Sequence, residues 1–460
     1  MEELGGASPL ACNVLRDGVG ASQLRPAIAT WDNFPATAPL AEPVTGLTVW
    51  RNQPVYISGR QFFVVQAPGL VTALSDSTDE ATMLNGTKRP SIYTTRTRLV
   101  AAAGGEIQQW QGTGLTERLN VASPAGYEPP RARVVTGIEN FLIAARDDAS
   151  GIFQWSAGIA GTGVDDEWDP LDYYEAQNRP DEISTMSATL GELYVFGSET
   201  LQVYDPDPTA YFVLSRVMPL GILAPASLVP VDNNFIFLDR RRRFILTDGR
   251  TYKDLSSDPL LSFLQSMKKV DDCWGFRMVL GSWDAVVWIF PTEGKGLIWD
   301  KSVEKWSEWR EWNGSTWCSP SIVSAYHWTE RGVFLVGLKD GTVAQLDPVG
   351  VADLGQPIHA ECISGFVDRQ TKNKKNCVSV ALTVRRDKAV ESRLRLWNRD
   401  ATGAWKHVRD VDLGPSEGLE PTVVLRSLGT YRQRQWRYQC SGAARLSLVS
   451  CMENYDILEV

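Results

Sequence analysis

The feature that most constrains the fold of this chain is a pattern that repeats between residues 46 and 350. Each unit contains short apolar runs of strand length, separated by turns that contain Gly, Asn or Asp. Successive units begin at Gly46, Arg96, Ala132, Ile183, Ala226, Trp274 and Ile322. These starts lie 36 to 51 residues apart, which is typical of four-stranded propeller blades.

The repeat also indicates how the units pack. One antiparallel unit cannot bury both of its faces, whereas blades arranged around an axis cover one another. Seven units can be counted, but the second is short, and two units could merge. The pattern therefore predicts an all-β fold that contains a β-propeller of six or seven blades.

The segments on either side of the repeat differ from it in composition and in the pattern of apolar residues. Residues 1–45 are rich in Ala, Pro and Gly, without a helical period, and predict an extended N-terminal arm. Residues 351–460 contain alternating runs such as "CVSVALTVRR" and "SRLRLWNRD", which predict an antiparallel β-sandwich-like domain. The propeller then occupies residues 46–350. Within it, "SSDPLLSFLQSM" predicts a helix with Ser257 or Asp258 as N-cap and Pro259 in its first turn.

Charge is distributed unevenly along the chain. The net charge is −9, but residues 351–460 carry 17 Lys and Arg against 13 Asp and Glu, a net charge of +4. Residues 1–350 therefore carry −13. An acidic body argues against general adhesion to DNA or anionic membranes, and the basic C-terminal part indicates a second surface with a different partner.

Cysteine and histidine usage argues against a metal or catalytic centre. The seven cysteines contain no CxxC pair, and there are only three histidines, so we expect reduced thiols, no metal site and no cofactor. No nucleophile or phosphate-loop motif occurs. The start of the chain lacks a signal-peptide pattern, and no apolar run approaches the ~20 residues that span a bilayer.

Four consecutive arginines, Arg240 to Arg243, lie between two apolar runs. Their position in the fifth unit predicts the tip of a β-hairpin. The sequence leaves three interpretations of the tip open: a solvated turn, a contact with another protein subunit, and a contact with DNA. Of these, the solvated turn is the default because like charges need water or acidic partners.

Two other stretches are candidate partner interfaces. Residues 164–182 hold eight acidic residues, among them Asp169 and Asp172, in a proline-broken loop. This loop predicts a solvated or partner-facing segment, although paired carboxylates also occur in glycoside hydrolases. Trp306, Trp309 and Trp312 favour packing between blades or at a subunit interface, and stacking on sugars or bases is the alternative.

The order of several motifs resembles the packaged-DNA stabilisation proteins, the tail hub or nozzle of short-tailed, podovirus-type bacteriophages. These motifs are a Trp-Asp-Pro loop at Trp168, a strand pair ending at Tyr204, an Ala-Pro step at Pro225 and "DGRTYKDLSS" before the predicted helix. "LGTYRQRQWRYQCSG" resembles the closing segment of the family. The resemblance covers Ala132 to Cys451 well and the first 130 residues poorly.

The resemblance implies a non-enzymatic virion protein of the phage tail, assembled in the cytoplasm of the host bacterium. In that family a hexameric ring below the portal and its head-to-tail adaptor extends the DNA channel, helps to retain packaged DNA and carries tail fibres or spikes. Double-stranded DNA would then pass through the channel without sequence-specific binding. The alternatives are a propeller glycoside hydrolase acting on host surface polysaccharide and an interaction propeller of the host cytoplasm.

Overall fold

The computed structural model describes residues 11–16, 22–119, 127–138, 141–148, 151–156, 168–176, 181–364, 366, 371–401 and 403–458. Within these ranges the regular structure is almost entirely β-strand, with one α-helix and four short 3-10 helices. The 3-10 helices are Glu80–Thr82, Pro225–Ser227, Thr329–Arg331 and Pro415–Glu417.

Three short strands precede the propeller: β1 (Val14–Arg16), β2 (Ser22–Leu24) and β3 (Ala27–Thr30). β1 and β2 pair with each other and extend a sheet of the C-terminal domain. β3 instead pairs with the last blade of the propeller. The N-terminal segment therefore contributes to both parts of the molecule, and the division at residues 45 and 350 stays a prediction.

Among the described residues, seven four-stranded antiparallel sheets form the blades of the propeller, and the first six consist of consecutive strands. Blades 1 to 3 contain β4 (Val44–Trp50), β5 (Gln53–Ser58), β6 (Gln61–Ala67), β7 (Leu70–Ala73); β8 (Ser91–Thr94), β9 (Leu99–Ala102), β10 (Gln108–Trp110), β11 (Glu117–Arg118); β12 (Ala132–Ile138), β13 (Phe141–Arg146), β14 (Ile152–Trp155) and β15 (Tyr173–Glu175). Blades 4 to 6 contain β16 (Ile183–Thr189), β17 (Glu192–Gly197), β18 (Leu201–Asp207), β19 (Tyr211–Met218); β20 (Val229–Val231), β21 (Asn234–Leu238), β22 (Phe244–Thr247), β23 (Tyr252–Asp254); β24 (Trp274–Leu280), β25 (Trp283–Phe290), β26 (Lys295–Asp300) and β27 (Lys305–Trp309).

The seventh blade is assembled from both ends of the propeller. After a small hairpin, β28 (Glu311–Trp312) and β29 (Trp317–Cys318), the chain forms β30 (Ile322–Trp328), β31 (Val333–Leu338) and β32 (Val343–Asp347). The N-terminal β3 then adds the outer strand, with Ala27 opposite Asp347 and Thr30 opposite Ala344. Blade 7 is therefore completed by a strand that lies about 300 residues earlier in the chain, which ties the two ends of the ring together.

The first strands of neighbouring blades contact one another, except that β16 of blade 4 contacts the 3-10 helix Pro225–Ser227, which precedes β20 of blade 5. Because β30 of the last blade contacts β4 of the first, the ring is closed. Side chains reinforce these contacts. The Ser324 hydroxyl donates to the Val44 carbonyl at 2.5 Å, and the Ser91 hydroxyl donates to the Val135 carbonyl at 3.0 Å. Blade 7 is thereby joined to blade 1, and blade 2 to blade 3. The prediction of six or seven blades is confirmed, with seven as the number.

Tight turns suit the twist of these sheets. Arg51 and Asn52, at φ of 48° and 62°, join β4 to β5. Leu190 and Gly191, at 52° and 78°, join β16 to β17. Two-residue turns with positive φ match the right-handed twist of the flanking strands, so these residues fix the register of their hairpins.

The predicted helix is present as α1 (Asp258–Gln265), between blades 5 and 6, with Ser257 at its N-cap. Its buried residues Leu260 and Leu264 lie in one core cluster with Phe244 and Trp288. The helix therefore covers the apolar surface between two blades, as its amphipathic pattern requires. None of the described helices has the length and apolar character needed to cross a membrane.

The C-terminal part begins with the hairpin β33 (Ala352–Asp353) and β34 (Gln356–Pro357) and continues as two antiparallel sheets. Their strands are β35 (Ala360–Ile363), β36 (Lys375–Arg386), β37 (Ser392–Asp400), β38 (Lys406–Leu413), β39 (Thr422–Arg426), β40 (Thr430–Tyr431), β41 (Arg434–Gly442) and β42 (Leu446–Ile457). One sheet has the order β35-β41-β37-β38, and the other β1-β2-β42-β36-β39, with β40 beside β36. Their inner faces meet in one apolar core that includes Leu382, Leu396 and Tyr438, so this part is the predicted sandwich.

Candidate partner interface

The arginine run forms the turn between β21 and β22 of blade 5, which is the predicted hairpin tip. Asp239 organises this turn, because its carboxylate accepts the backbone N–H groups of Arg241 and Arg243 at 2.8 Å each. Arg242 adopts a left-handed conformation with φ of 58°. A buried aspartate at the first position of the turn therefore holds its backbone conformation.

Two of the four arginine side chains form hydrogen bonds within blade 5 or with the helix that follows it. The Arg242 guanidinium donates to the carbonyl oxygens of Leu264 and Met267 at 3.1 and 2.8 Å, at the C-terminal end of α1. Arg243 donates to the Asp239 carboxylate at 2.6 and 3.0 Å and reaches Asp254 at 3.3 Å. A cation at a helix C-terminus satisfies carbonyls that have no partner in the helix. These two side chains therefore stabilise blade 5 and its helix.

The other two arginines lie at the surface. Arg240 pairs with Glu199 at 2.6 Å, and both side chains are about half exposed. Glu199 lies between β17 and β18, so this pair connects blade 5 to blade 4. Arg241 is exposed, and its side chain makes no hydrogen bond or ion pair with another described residue. Arg241 is therefore the member of the run that is most available to a partner.

Of the three candidate tryptophans, two belong to the core. Trp306 lies 4.9 Å from Phe244 and 5.6 Å from Trp288 between ring centroids, and its indole N–H donates to the Leu255 carbonyl. Trp309 is fully buried. Rings in these positions cannot stack on a ligand without unfolding the blade, so the structure corrects the assignment of Trp306 and Trp309 to a partner interface.

Trp312 is different because it is only half-buried. It lies on the β28–β29 hairpin, with its ring centroid 5.3 Å from Trp317 and 4.6 Å from His359 of the sandwich. Burial and the nearby Arg395 lower the pKa of His359. The hairpin therefore packs the His359 imidazole against an indole where the propeller meets the sandwich, and part of Trp312 stays accessible.

The acidic stretch is described only in part, because residues 164–167 and 177–180 lie outside the described residues. Asp169 and Asp172 stand in one turn, in which the Asp172 N–H donates to the Asp169 carbonyl at 2.9 Å. Burial, and to a lesser degree the charge of Asp169, raises the pKa of Asp172. A cleft of about 420 Å³ opens beside Trp168 and Pro170, but neither aspartate lines it. Asp169 and Asp172 therefore do not lie where they could act as a catalytic pair in that cleft.

A buried ionic cluster at the junction of propeller and sandwich is not apparent in the sequence. Arg25 is fully buried and pairs with Asp353, while Asn13 accepts a hydrogen bond from the Arg25 Nε at 2.9 Å. Burial raises the pKa of Glu308, although its ion pair with Arg310 opposes the rise. These residues come from three distant segments and carry no local motif. Only the tertiary structure brings them together.

Within the described residues, no group of three or more His, Cys, Asp or Glu side chains is arranged to hold a metal ion. Three clefts formed by described residues are open to solvent and lined by both polar and apolar groups, and one of them lies between the edge strands of the sandwich. Exposed surfaces and open strand edges of the described residues are therefore the candidate sites for contacts with other macromolecules.

Residues 41–247 match the family model Phage_stabilise, described as bacteriophage P22 Gp10, beta-propeller. The match confirms the resemblance that the sequence indicates and supports a phage structural role. It begins at residue 41, so it includes the first blades, where the motifs resemble the family poorly, and it ends before the C-terminal motifs. No curated protein sequence matches this chain.

Solved structures that resemble the chain include BamB from Moraxella catarrhalis, with 12% identity, 71% of this chain and 97% of BamB covered, and a TM-score of 0.40. The WD40 domain of Neurospora crassa Pan2 has 9% identity, 68% and 92% coverage and a TM-score of 0.42. The exo-beta-1,3-galactanase of Phanerochaete chrysosporium has 11% identity, 83% and 99% coverage and a TM-score of 0.30. At these values the likenesses carry no argument about function.

Proposed function

We propose that this chain, whose residues 41–247 match the phage stabilisation family, is a structural protein of a phage tail. In this proposal it forms a hexameric hub or nozzle ring that extends the DNA channel below the portal and its adaptor. The ring retains packaged DNA and holds fibres or spikes. The family match is the observation that carries the proposal, and the protein acts in the virion without catalysis or a cofactor.

The ties between distant segments of the chain support a role in which the subunit carries mechanical force. The outer strand of blade 7 comes from the N-terminal segment, so the two ends of the propeller are tied together by a ladder of main-chain hydrogen bonds. The buried Arg25–Asp353 pair then joins this segment to the start of the sandwich. A subunit built this way transmits force between its two parts instead of hinging at a linker.

The charge distribution supports the same proposal. An acidic body of net charge −13 repels phosphate, so duplex DNA would slide past it without sequence-specific binding. The sandwich carries the opposite sign, with a net charge of +4. We therefore assign the acidic part to the channel side and the basic part to protein partners such as the adaptor, fibre or spike.

Electron cryo-microscopy of the purified chain and of the phage particles that contain it tests the proposal. We expect a ring with sixfold symmetry around a central channel, placed directly below the adaptor. Native mass spectrometry of the purified chain gives an independent count of subunits. A stable monomer that is absent from purified particles would contradict the proposal.

A surface variant tests whether the arginine turn takes part in assembly. Replacing Arg240 and Arg241 with serine leaves the internal contacts of Arg242 and Arg243 in place, so the subunit should fold normally. If the turn contacts a neighbour, this variant forms fewer rings than the wild type in native mass spectrometry. The matched control replaces Lys268 and Lys269, which are also exposed, with serine. Equal ring formation in both variants would leave the arginines as a solvated turn.

The glycoside hydrolase alternative has one observation in its favour, the raised pKa of Asp172 beside Asp169. A general acid of a glycosidase needs such a carboxyl group beside an ionised one. The test is release of reducing sugar from host surface polysaccharide by the wild type and by the Asp169→Asn and Asp172→Asn variants. If the wild type is active and both substitutions abolish the activity, the hydrolase alternative replaces the structural proposal. If the wild type is inactive, the hydrolase alternative is excluded.

A further inference from the structure

The two sheets of the sandwich leave a cleft open along one side. β38 is the edge strand of one sheet, and β39 is the edge strand of the other. Between them, and beside the 427–430 turn, lies a cleft of about 480 Å³. No described strand pairs with the outer edge of either strand. The sandwich therefore presents two open edges that face one cleft.

The walls of this cleft carry a surplus of positive charge. Lys406, Arg409 and Arg426 line or border it, are exposed, and form no ion pair with another described residue. Its one lining carboxylate, Asp400, is already paired with Arg434 at 3.1 Å. As far as the described residues show, three cations along a concave surface have no counter-charge, and there they attract an anionic partner.

The floor of the cleft is apolar. Val408, Leu425 and Leu428 line it and pack against the core of the sandwich. No Trp, Tyr or Phe side chain is among its lining residues. Its one aromatic ring, that of His407, is hydrogen-bonded to Asp410 and packs edge-on against Trp397, so the cleft lacks the row of free aromatic rings on which successive nucleic-acid bases stack. An apolar floor between basic walls fits a chain that alternates apolar and acidic side chains.

The main chain of β39 has hydrogen-bonding groups that point toward the open edge. The Ser427 N–H donates to the Val378 carbonyl, and the Val384 N–H donates to the Pro421 carbonyl, which places residues 421 and 427 at positions bonded to β36. In an antiparallel pair such positions alternate. Thr422, Val424 and Arg426 therefore direct their main-chain N–H and C=O groups toward the open edge.

From these observations we propose that the cleft binds an extended acidic segment of another polypeptide, which adds a strand to β39. Its main chain pairs with the open edge at residues 422–426, as in other cases of strand addition. Its apolar side chains contact the floor, and its carboxylates pair with Lys406, Arg409 and Arg426. Phosphate groups of nucleic acid have the right charge but lack the main-chain groups that the edge requires.

The experiment uses the full chain and a fluorescein-labelled peptide of about eight residues in which Glu and Val alternate. Fluorescence anisotropy at low ionic strength measures its Kd. Reversing the three cations, Lys406→Glu with Arg409→Glu and Arg426→Glu, should raise the Kd at least about tenfold. The matched control reverses three exposed lysines of the same domain, Lys372, Lys374 and Lys388, and should change the Kd less than about threefold.

A second variant tests the strand pairing without changing charge. Val424→Pro removes an N–H that faces the open edge and leaves the bonds to β36 in place, so the domain should fold and bind weakly. Val424→Ala should bind like the wild type. Circular dichroism and thermal unfolding show whether each variant is folded. A folded Val424→Pro variant with unchanged affinity would overturn the strand-addition mode.

Three results would overturn the proposal itself. The first is that the wild type does not bind the peptide, and the second is that the cleft variant and the lysine control lose peptide binding to the same extent. The third is that inorganic phosphate or single-stranded DNA displaces the labelled peptide at lower concentrations than the unlabelled peptide does. The last result would reassign the cleft to phosphate groups. Ring formation is a separate measurement, so this proposal and the hub proposal can fail independently.

Discussion

Arg25 donates two hydrogen bonds to Asp353, at 3.0 and 2.5 Å, across 328 residues of sequence. The Arg25 guanidinium also lies over the Trp309 ring at 4.1 Å, and Asp353 accepts the N–H of Ile28 at 2.9 Å. This one pair thus connects the N-terminal segment, blade 6 and the start of the sandwich. Removing the Arg25–Asp353 pair should therefore lower the free energy of unfolding more than removing a surface ion pair does.

The first prediction concerns that pair. Asp353→Asn leaves the Arg25 charge buried without its partner, and we expect the free energy of unfolding to fall by about 3–5 kcal/mol. Equilibrium unfolding in urea, followed by tryptophan fluorescence, measures the change. The control is Glu304→Gln, which removes an exposed pair with Lys253 and should cost less than about 1 kcal/mol. Similar losses for both variants would show that the junction does not depend on the pair.

The second prediction separates the arginines of the turn. Arg242→Ala removes the hydrogen bonds to the end of α1, so we expect a loss of about 1–3 kcal/mol in the free energy of unfolding. Arg242→Gly should cost less than alanine because glycine adopts a φ of 58° more readily. Arg241→Ala should stay within about 0.5 kcal/mol of the wild type. Equal values for Arg241→Ala and Arg242→Ala would contradict the assigned roles.

The third prediction distinguishes the tryptophans. Trp309→Ala empties a fully buried site and also removes the surface on which Arg25 lies, so we expect a loss of about 3–5 kcal/mol. Trp312→Ala affects a half-buried ring and should cost clearly less. Thermal unfolding of both variants provides the comparison. A larger effect of Trp312→Ala would place the main packing contact in the β28–β29 hairpin.

The fourth prediction concerns pH. Burial and Arg395 lower the pKa of His359 below its ordinary value of 6.5. Between the two values the unfolded chain binds a proton that the folded chain does not, so stability rises with pH in this window. The contribution of His359 is therefore complete above pH 6.5 and decreases as the pH falls toward the folded pKa.

His359→Gln measures this contribution. We expect the variant to lose less stability than the wild type between pH 7.5 and pH 5.5, a window placed around the ordinary pKa. Urea unfolding at several pH values gives both slopes. The exposed His407, which pairs with Asp410, provides the matched substitution His407→Gln. Parallel slopes for the wild type and His359→Gln would show that His359 titrates normally.

Much of the fold is local in origin and could be predicted. Strand length, turn residues and the spacing of the repeats depend on contacts within one blade, and these identified the propeller and its hairpins. The same holds for α1, since an N-cap, a proline in the first turn and an apolar face lie within twelve residues. The position of the arginine turn between β21 and β22 was also predictable for this reason.

The individual roles within that turn were not predictable. Arg240 to Arg243 are chemically identical, and their roles depend on which way each backbone position points and on what lies there. Asp239 fixes the turn, and α1 then places carbonyl groups within reach of Arg242. Trp306, Trp309 and Trp312 likewise look alike in the sequence, although two are buried in the core and one lies at the junction.

The sequence by itself determined the all-β class, the approximate number of blades, the helix and the opposite charges of the two parts of the chain. Only the tertiary structure decided that β3 completes the seventh blade, that Arg25 meets Asp353, and that an open basic cleft separates β38 from β39. The physical reason is the range of the interactions. Periodicity and turn chemistry act within a few residues, whereas the first two pairings join segments that are distant in the sequence and the cleft depends on how the two sheets of the sandwich pack.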